Sequence, residues 1–276
     1  MSQTTAFDRP SISHSQDTPE LAATYEEKSG YQFEHGKVLI AALGLKRGDA
    51  VLDIGSGTGR LAGHVAEIVG PRGKVVGIDP LPLRVEIANA KNIANFEAHV
   101  GRAEDLSQFA DESFDAVYLN SVFHWVEDKP RALAEIKRAL KPAGRLGLNS
   151  ADPKKRHESA VLSREALEDL GVDSAHGVAA PILAVDPDEL RALLAAAGFG
   201  EIEAVEHVFV DLHEDVDGLI AWSNSSSFGN NAIVRLSDED RARWRAAFAE
   251  KLEAKRTPDG YRLERYLTFA TATKPA

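Results

Sequence analysis

The sequence contains no cysteine and no long hydrophobic run. Without cysteine the chain can form no disulfide, no thiolate metal site and no cysteine nucleophile. No window approaches the roughly 18 consecutive apolar residues that a membrane span needs. Residues 1–18 are polar and lack the basic and apolar regions of a secretory signal. These absences argue against a disulfide-stapled, membrane-spanning or signal-bearing protein.

Positive charge is also scarce. The chain has 32 Lys and Arg against 43 Asp and Glu, a net charge of -11. A groove for a phosphate backbone would have to form against this field, so we expect neither nucleic acid nor an anionic membrane as a partner. The hydrophobic content of 43% suffices for a sizeable core. We therefore predict a disordered tail at 1–18 and a single domain at 19–276.

Apolar strands alternate with helical segments through the first half of the chain. Strands are predicted at 50–54, 74–79, 96–100, 114–120 and 145–149. This alternation predicts a parallel sheet that is covered by helices on both faces. Residues 203–212 and 261–273 alternate in the manner of strands. The remaining segments, 19–45, 150–182 and 213–258, are predicted to form a cap.

One motif joins the first two strands to a ligand. The first strand ends on Asp53, three glycines follow at alternate positions as far as Gly59, and the second strand ends on Asp79. The pattern predicts a glycine turn into a helix, with Asp79 reaching a ribose. A dinucleotide turn needs its third glycine where Arg60 stands, and Asp53 would repel a diphosphate but suits an ammonium group. S-adenosylmethionine, with an amino acid head and a ribose, meets these constraints.

The sequence resembles the class I S-adenosylmethionine-dependent methyltransferases, particularly small-molecule enzymes of the ubiquinone/menaquinone-biosynthesis type. The resemblance runs in register through 38–148. Its motifs lie at 51–59, 76–80, 101–106, 113–117, 124–126 and 140–144. It implies an α/β fold: a Rossmann-like, doubly wound, mostly parallel seven-stranded sheet with an antiparallel last strand and a helical cap.

The resemblance also implies the cofactor contacts. Gly55 and Gly57 would approach the methionine moiety, Asp53 would position its ammonium group, and Asp79 would bind both ribose hydroxyls. The other implied contacts are Pro80 and Leu81 beside the adenine, Ala103 and Glu104 at its edge, and Asn120 at the methionine end. Arg102 stands where many relatives have aspartate. The product would be S-adenosylhomocysteine, and we expect no metal.

His124 follows the fourth strand, where the cofactor's methyl group should point. It could act as a general base on a substrate hydroxyl or thiol, since its ordinary pKa lies near working pH. Alternatively it could line the site, or open a helix while Trp125 packs in the core. The candidate substrate-binding residues are the aromatic ones of the cap and of this turn: Tyr25, Tyr31, Trp125, Trp222 and Phe228. Each could instead anchor its own segment.

We therefore expect a methyltransferase that acts on a small molecule, with oxygen favoured as the acceptor atom. Transfer to carbon, nitrogen or sulfur is the alternative, and so is a non-catalytic protein that kept the fold and the cofactor. The missing signal and the intracellular type of cofactor predict the cytoplasm. The sequence determines neither the substrate nor the oligomeric state.

Overall fold

The computed structural model describes residues 12–171 and 182–276. Within these ranges eight strands form one sheet: β1 Ala50–Ile54, β2 Lys74–Asp79, β3 Phe96–Val100, β4 Phe114–Leu119, β5 Leu140–Ala151, β6 Gly200–His213, β7 Arg256–Thr257 and β8 Gly260–Thr273. Their order is β3-β2-β1-β4-β5-β8-β6, and β7 pairs with β8. Strands β1 to β5 pair in parallel, whereas β8 is antiparallel to β5 and β6. The predicted fold class is confirmed, and the two-residue strand β7 is an addition that the sequence did not indicate.

The helices cover the sheet and build the cap. They are α1 Pro19–Lys28, α2 Gly30–Leu43, α3 Arg60–Val69, α4 Pro82–Ala90, α5 Lys129–Ala139, α6 Glu158–Asp169, α7 Pro187–Ala196, α8 Val216–Ser226 and α9 Asp238–Leu252. Helices α2 and α3 pack on one face, and α5 and α7 on the other. None of the helices in the described ranges is long and apolar enough to cross a membrane.

Strand β1 shows why the apolar runs lie inside. Its side chains alternate between the two faces, so Val51 joins the core beneath α2 and α3 while Leu52 and Ile54 join the core beneath α5 and α7. All three residues are buried. A strand covered on both sides is apolar at every position rather than at alternate ones.

The predicted cap segments contain separate helices with a small core of their own. Residues 19–45 form two helices, α1 and α2, which meet at Ser29. Helices α6, α8 and α9 pack together against the outer end of β8 around Trp244 and Phe248. Part of the predicted cap segment 150–182, residues 172–181, lies outside the described residues.

Part of the segment predicted as a disordered tail, residues 12–18, is described by the structure and contacts distant residues. Residues 14–16 form a 3₁₀ turn, and the side chain of Ile12 is buried. Asn230 holds this segment through its side chain, which accepts from the backbone N of Ser13 (3.0 Å) and donates to the carbonyl of Ser13 (2.9 Å). The assignment of 12–18 to a disordered tail was therefore wrong, because contacts with distant residues order it. Residues 1–11 lie outside the described residues.

Candidate active site

The glycine turn and the second strand are locked together at the carboxyl end of the sheet. Gly55 has a φ of +74°, and its N–H donates to the carbonyl of Ile78 (2.7 Å). The carboxylate of Asp79 accepts from the N–H of Gly57 (2.8 Å) and from that of Leu81 (2.9 Å). Asp79, predicted as the ribose ligand, therefore also shapes the glycine turn through these hydrogen bonds.

Gly55→Ala is expected to lower the free energy of unfolding by about 2–4 kcal/mol, because strain in the left-handed region adds to a clash. A Cβ at this position would lie 2.2 Å from Cγ2 of Val122. Gly48→Ala is the matched control, since Gly48 has a φ of +95° with nothing within 4 Å, and should cost only about 1–2 kcal/mol. Urea denaturation measures both. Equal losses would contradict the clash.

Asp53 is a buried carboxyl group near the end of β1. Its Oδ2 accepts a hydrogen bond from the hydroxyl of Tyr118 (2.6 Å) on the neighbouring strand β4. Burial raises the pKa of Asp53 to about 7; the Tyr118 hydrogen bond opposes this shift, and the charge of Asp79 adds to it. A positively charged group beside Asp53 would favour the ionised form. Tyr118 was not predicted, because within an apolar strand a tyrosine looks like an ordinary core residue.

Arg84 is a charged neighbour of Asp79 that the sequence analysis did not predict. Burial raises the pKa of Asp79, while the charge of Arg84 and the hydrogen bonds from Leu81 and Gly57 oppose the shift. Arg84 is itself buried and makes two hydrogen bonds to Asp17, at 3.2 and 3.3 Å. A cation in the first turn of a short helix gives no sequence signal for such a role.

A small cavity lies at the methionine end of the predicted site. Its volume is about 30 Å³, which accommodates water but not a nucleoside. Asp53, Gly55, Asn120, Tyr25 and Gln32 are among the residues that line it. The side-chain nitrogen of Asn120 donates to the carbonyl of Gln32 (2.8 Å). The structure thus brings together three predicted cofactor residues and one predicted substrate residue.

Tyr25 closes this cavity over the glycine turn. A Cβ on Gly57 would lie 3.2 Å from Cε1 of Tyr25. The guanidinium of Arg84 lies 4.1 Å from the centroid of the Tyr25 ring and donates to the carbonyl of Ser225 (2.7 Å). Tyr25 is therefore held between the glycine turn and an arginine that also contacts the cap.

The predicted adenine side is an apolar cluster. Leu81 packs with Ile12 and Phe228, and Trp125 lies against them. The ring centroids of Trp125 and Phe228 are 5.0 Å apart. Pro80, immediately before Leu81, is partly exposed. Cofactor and substrate candidates thus meet here, and residue Ile12 of the supposed tail joins them.

Ala103 and Glu104 have structural contacts of their own. Ala103 is buried in the core beneath α5 and α7. Glu104 accepts a hydrogen bond from the backbone N of Glu127 (3.0 Å), and its carboxylate lies 3.6 Å from Nε of Arg102. Neither lines the cavity described above. Their contact with an adenine stays a prediction.

His124 lies in a 3₁₀ turn, Phe123–Trp125, just after β4. The side chain is buried, and its Nδ1 has no hydrogen-bond partner. Burial lowers the pKa of His124 to about 3, with smaller effects from the charges of Lys129 and Arg265. The imidazole is therefore neutral at working pH and can accept one hydrogen bond.

Trp222 and Tyr31 lie farther along the cap. The indole nitrogen of Trp222 donates to Oε1 of Gln32 (3.2 Å), so Trp222 adjoins the cavity through that side chain. The hydroxyl of Tyr31 donates to the carbonyl of Leu212, and its ring lies 5.0 Å from that of His213. Tyr31 therefore does not meet the other predicted residues at the cavity.

Comparison with known proteins shows which fold and which enzymes the chain resembles. Residues 52–148 match the methyltransferase domain family. Trans-aconitate 2-methyltransferase of Deinococcus radiodurans is 29% identical over 211 residues, which cover 74% of this chain and 78% of that enzyme. The chain is thus similar to the class I S-adenosylmethionine-dependent methyltransferases, over residues 52–148 by the family match and over most of its length by the Deinococcus relative. The sequence-based resemblance is thereby confirmed.

Two further proteins show over what part of their length this chain resembles them. The ubiquinone/menaquinone biosynthesis C-methyltransferase of Francisella philomiragia is 39% identical over 115 residues, which cover 40% of this chain and 46% of that enzyme. The chain thus matches less than half of that relative's length. Phosphoethanolamine N-methyltransferase 2 of Haemonchus contortus, solved with S-adenosylmethionine, superposes with a TM-score of 0.60 at 19% identity, covering 98% of this chain and 62% of that one.

The residues of this site fit S-adenosylmethionine, the cofactor of the family that the chain resembles. The buried Asp53, with its raised pKa, lacks a cation that would favour its ionised form, and the cofactor's ammonium group is such a cation. The side-chain oxygen of Ser56 is buried without a hydrogen-bond partner beside the same cavity. Within residues 12–171 and 182–276 no group of three or more metal-ligating side chains could hold a metal ion. A metal-free reaction stays a prediction.

Proposed function

We propose that this methyltransferase transfers the methyl group of S-adenosylmethionine to the oxygen of a small-molecule acceptor. The observation that carries the proposal is the placement of Asp53 and Asp79 near the ends of neighbouring parallel strands, with Asp53 lining a cavity that the cap helices close. Ligands of open α/β sheets bind at this edge. Two carboxylates and a glycine turn suit an ammonium group and a ribose better than a phosphate.

In this proposal each residue at the turn has a separate task. Asp53 holds the ammonium group, Asp79 accepts hydrogen bonds from the ribose hydroxyls, and the backbone of Gly55 and Gly57 approaches the methionine chain. When bound, the cofactor supplies an electrophilic methyl group on a sulfonium. The chain's own contribution is then positioning, which can account for roughly 7–11 kcal/mol of a barrier.

Binding requires the cap to move, because the cavity between Tyr25 and Asp53 is far smaller than the cofactor. Tyr25 and residues 12–17 lie across the entrance, held by Arg84. Opening would break these contacts, and closing over the bound ligands would exclude water from the reaction. Tyr25 and Phe228 are then the aromatic walls of the closed site.

His124 favours oxygen as the acceptor atom. Its free Nδ1 is buried, and the neutral ring can accept a hydrogen bond from a hydroxyl group as that hydroxyl attacks. Transfer to carbon is the second candidate, because the Francisella relative is named a C-methyltransferase. A small neutral molecule rather than a nucleic acid is the proposed partner, given the net charge of -11.

The test is incubation of the purified protein with methyl-labelled S-adenosylmethionine and a small-molecule extract of cells. We expect a labelled low-molecular-weight product whose new methyl group shows the carbon shift of an ether or ester in NMR spectra. A protein heated to loss of structure is the control. Binding of S-adenosylhomocysteine in calorimetry without any labelled product would instead indicate a non-catalytic protein, and a methyl group bonded to carbon would refute the choice of oxygen.

A further inference from the structure

A second polar cluster lies beneath the cap, where β6 and β8 extend beyond β5. Asp211 of β6 is completely buried, and its Oδ2 accepts a hydrogen bond from Nε of Arg265 on β8 (2.6 Å). Nε2 of His35 lies 3.3 Å from Oδ1 of Asp211, and Nε2 of His157 lies 3.5 Å from Oδ2. We call these four residues, together with His213, the Asp211 cluster.

The Asp211 cluster has hydrogen-bonding capacity that the protein does not use. Oδ1 of Asp211, Nε2 of His157 and Nε2 of His213 are buried without a hydrogen-bond partner. Nη2 of Arg265 also lacks a hydrogen bond, although it lies 2.6 Å from Oδ2 of Asp211 as an ion pair. Buried polar atoms in folded proteins are nearly always hydrogen-bonded, and a core of apolar residues would avoid the cost of burying them. Four unsatisfied atoms in one cluster therefore point to a polar ligand.

Trp222 lies between this cluster and the methionine-end cavity and contacts residues of both. On one side its indole nitrogen donates to Gln32, which lines the cavity. On the other side its ring lies 5.4 Å from the ring of His213 and 5.9 Å from that of His157. The guanidinium of Arg265 lies 4.7 Å from the Trp222 centroid. Through Trp222 the cluster is therefore in contact with a side chain that lines the cavity.

The charges of the cluster cancel. Burial opposes ionisation of Asp211, but the neighbouring rings of His157 and His35, at 3.5 and 3.3 Å, and the charge of Arg265 outweigh it and hold the pKa of Asp211 well below its usual range. The positive charge of Arg265 is in turn neutralised by this carboxylate. Burial, with a contribution from Arg265, lowers the pKa of both His157 and His213 to about 4. Both rings are neutral at working pH, so each offers one donor and one acceptor.

We propose that the Asp211 cluster is the acceptor site, and that the acceptor is an uncharged ring compound bearing a hydroxyl group, of the phenol class. A carboxylate ligand would meet Asp211 without an unpaired cation to receive it, whereas a hydroxyl group can both donate and accept. The flat rings of Trp222 and His213 suit a planar acceptor. This inference rests on the proposed function, since it names the substrate class of the same site.

The transfer step then balances within the site. The acceptor oxygen forms a bond to the methyl carbon, the methyl–sulfur bond breaks, and its electron pair stays on sulfur. The hydroxyl proton passes to an unpartnered imidazole nitrogen, Nδ1 of His124 or Nε2 of a cluster histidine, and from there to solvent. The histidines of the cluster that contact the hydroxyl would thus be catalytic, while Asp211 would be a positioning residue that orients His35 and His157.

The experiment uses two fluorescent probes that share a ring system, 2-naphthol and 2-naphthoate. Each is titrated into the full-length protein saturated with S-adenosylhomocysteine. We expect the wild type to bind 2-naphthol about tenfold or more tightly than 2-naphthoate, because the carboxylate probe approaches a buried carboxylate. Asp211→Asn leaves Arg265 without its partner and should reverse this order. The readout is binding and does not depend on turnover.

A matched pair of tryptophan substitutions shows whether a loss of binding is specific to the site or results from misfolding. Trp222→Phe should weaken 2-naphthol binding about tenfold, because the smaller phenyl ring contacts less of the probe and lacks the indole N–H that is held by Gln32. Trp244→Phe should leave it unchanged, because the Trp244 ring stacks on Phe248 and its nitrogen donates to the carbonyl of Ser163.

The outcomes separate this inference from the proposed function. A wild type that does not bind S-adenosylhomocysteine in calorimetry overturns both. If S-adenosylhomocysteine binds while 2-naphthoate equals or exceeds 2-naphthol, only the phenol site is overturned. The same holds if Trp222→Phe and Trp244→Phe affect 2-naphthol binding equally.

Discussion

Asp53→Asn is expected to stabilise the folded protein at neutral and higher pH while removing most of its affinity for the cofactor. Burial raises the pKa of Asp53 from 3.8 to about 7. The folded state therefore binds more protons than the unfolded state between these values, and the free energy of unfolding falls as the pH rises through that window. The shift corresponds to about 4 kcal/mol once the group is ionised. Asparagine can still accept from Tyr118 and carries no charge.

Urea denaturation at two pH values tests this sign. We expect Asp53→Asn to raise the free energy of unfolding by about 2–4 kcal/mol near pH 8 and to change it little near pH 4. Calorimetry should show at least about 100-fold weaker binding of S-adenosylhomocysteine, because the ammonium group loses a buried counter-charge. Wild-type affinity should rise with pH up to about 7, since ammonium binding favours the ionised form of Asp53.

Asp115→Asn is the matched control with the opposite sign. Asp115 accepts hydrogen bonds from Lys141 (2.8 Å) and from the backbone N of Ala50 (2.8 Å). Burial opposes its ionisation, but these hydrogen bonds and the charge of Lys141 prevail and lower the pKa of Asp115. Its loss should destabilise the protein near pH 8. If Asp53→Asn also destabilises the protein near pH 8, burial of the ionised Asp53 carboxylate does not lower the free energy of unfolding.

The sequence was sufficient for the parts of the site that follow one another along the chain. Asp53 and Asp79 end two consecutive parallel strands, and such ends meet at one edge of a sheet whatever the rest of the fold does. The glycines between them are required by the turn itself, as the positive φ of Gly55 shows. Local spacing and a general rule of sheet geometry are enough to bring these groups together.

The remaining contacts depend on tertiary structure. Arg84 pairs with Asp17, which lies 67 positions earlier in the sequence. Asp211 lies beside His35, which is 176 positions earlier. No periodic pattern encodes which cap residue contacts which strand. A charged residue at a core-facing position of an alternating strand, as at Asp211 between Phe209 and His213, was the one available signal. Residues 12–18 were misassigned for the same reason, since their order comes from Asn230 and Arg84.

Asp79→Ala is expected to abolish cofactor binding, with S-adenosylhomocysteine affinity falling by at least about 100-fold. The substitution removes the proposed ribose ligand and also leaves the N–H groups of Gly57 and Leu81 without their acceptor. The substitution should therefore disturb the conformation of the glycine turn and also remove the negative charge beside it. Calorimetry measures the affinity, and circular dichroism shows whether the fold persists. An Asp79→Ala variant that binds like the wild type would exclude Asp79 from the cofactor site.

His124→Ala separates binding from catalysis. It should leave S-adenosylhomocysteine affinity nearly unchanged while turnover falls by about 100-fold or more, if the free Nδ1 receives the acceptor's proton. Because the pKa of His124 is lowered to about 3, its ring is neutral from about pH 5 to 8. The wild-type rate should therefore not fall as the pH passes through the ordinary pKa of histidine. The pH profile of the variant should have the same shape in this range. Unchanged turnover in His124→Ala would leave His124 as a wall and transfer the task of proton removal to the histidines around Asp211.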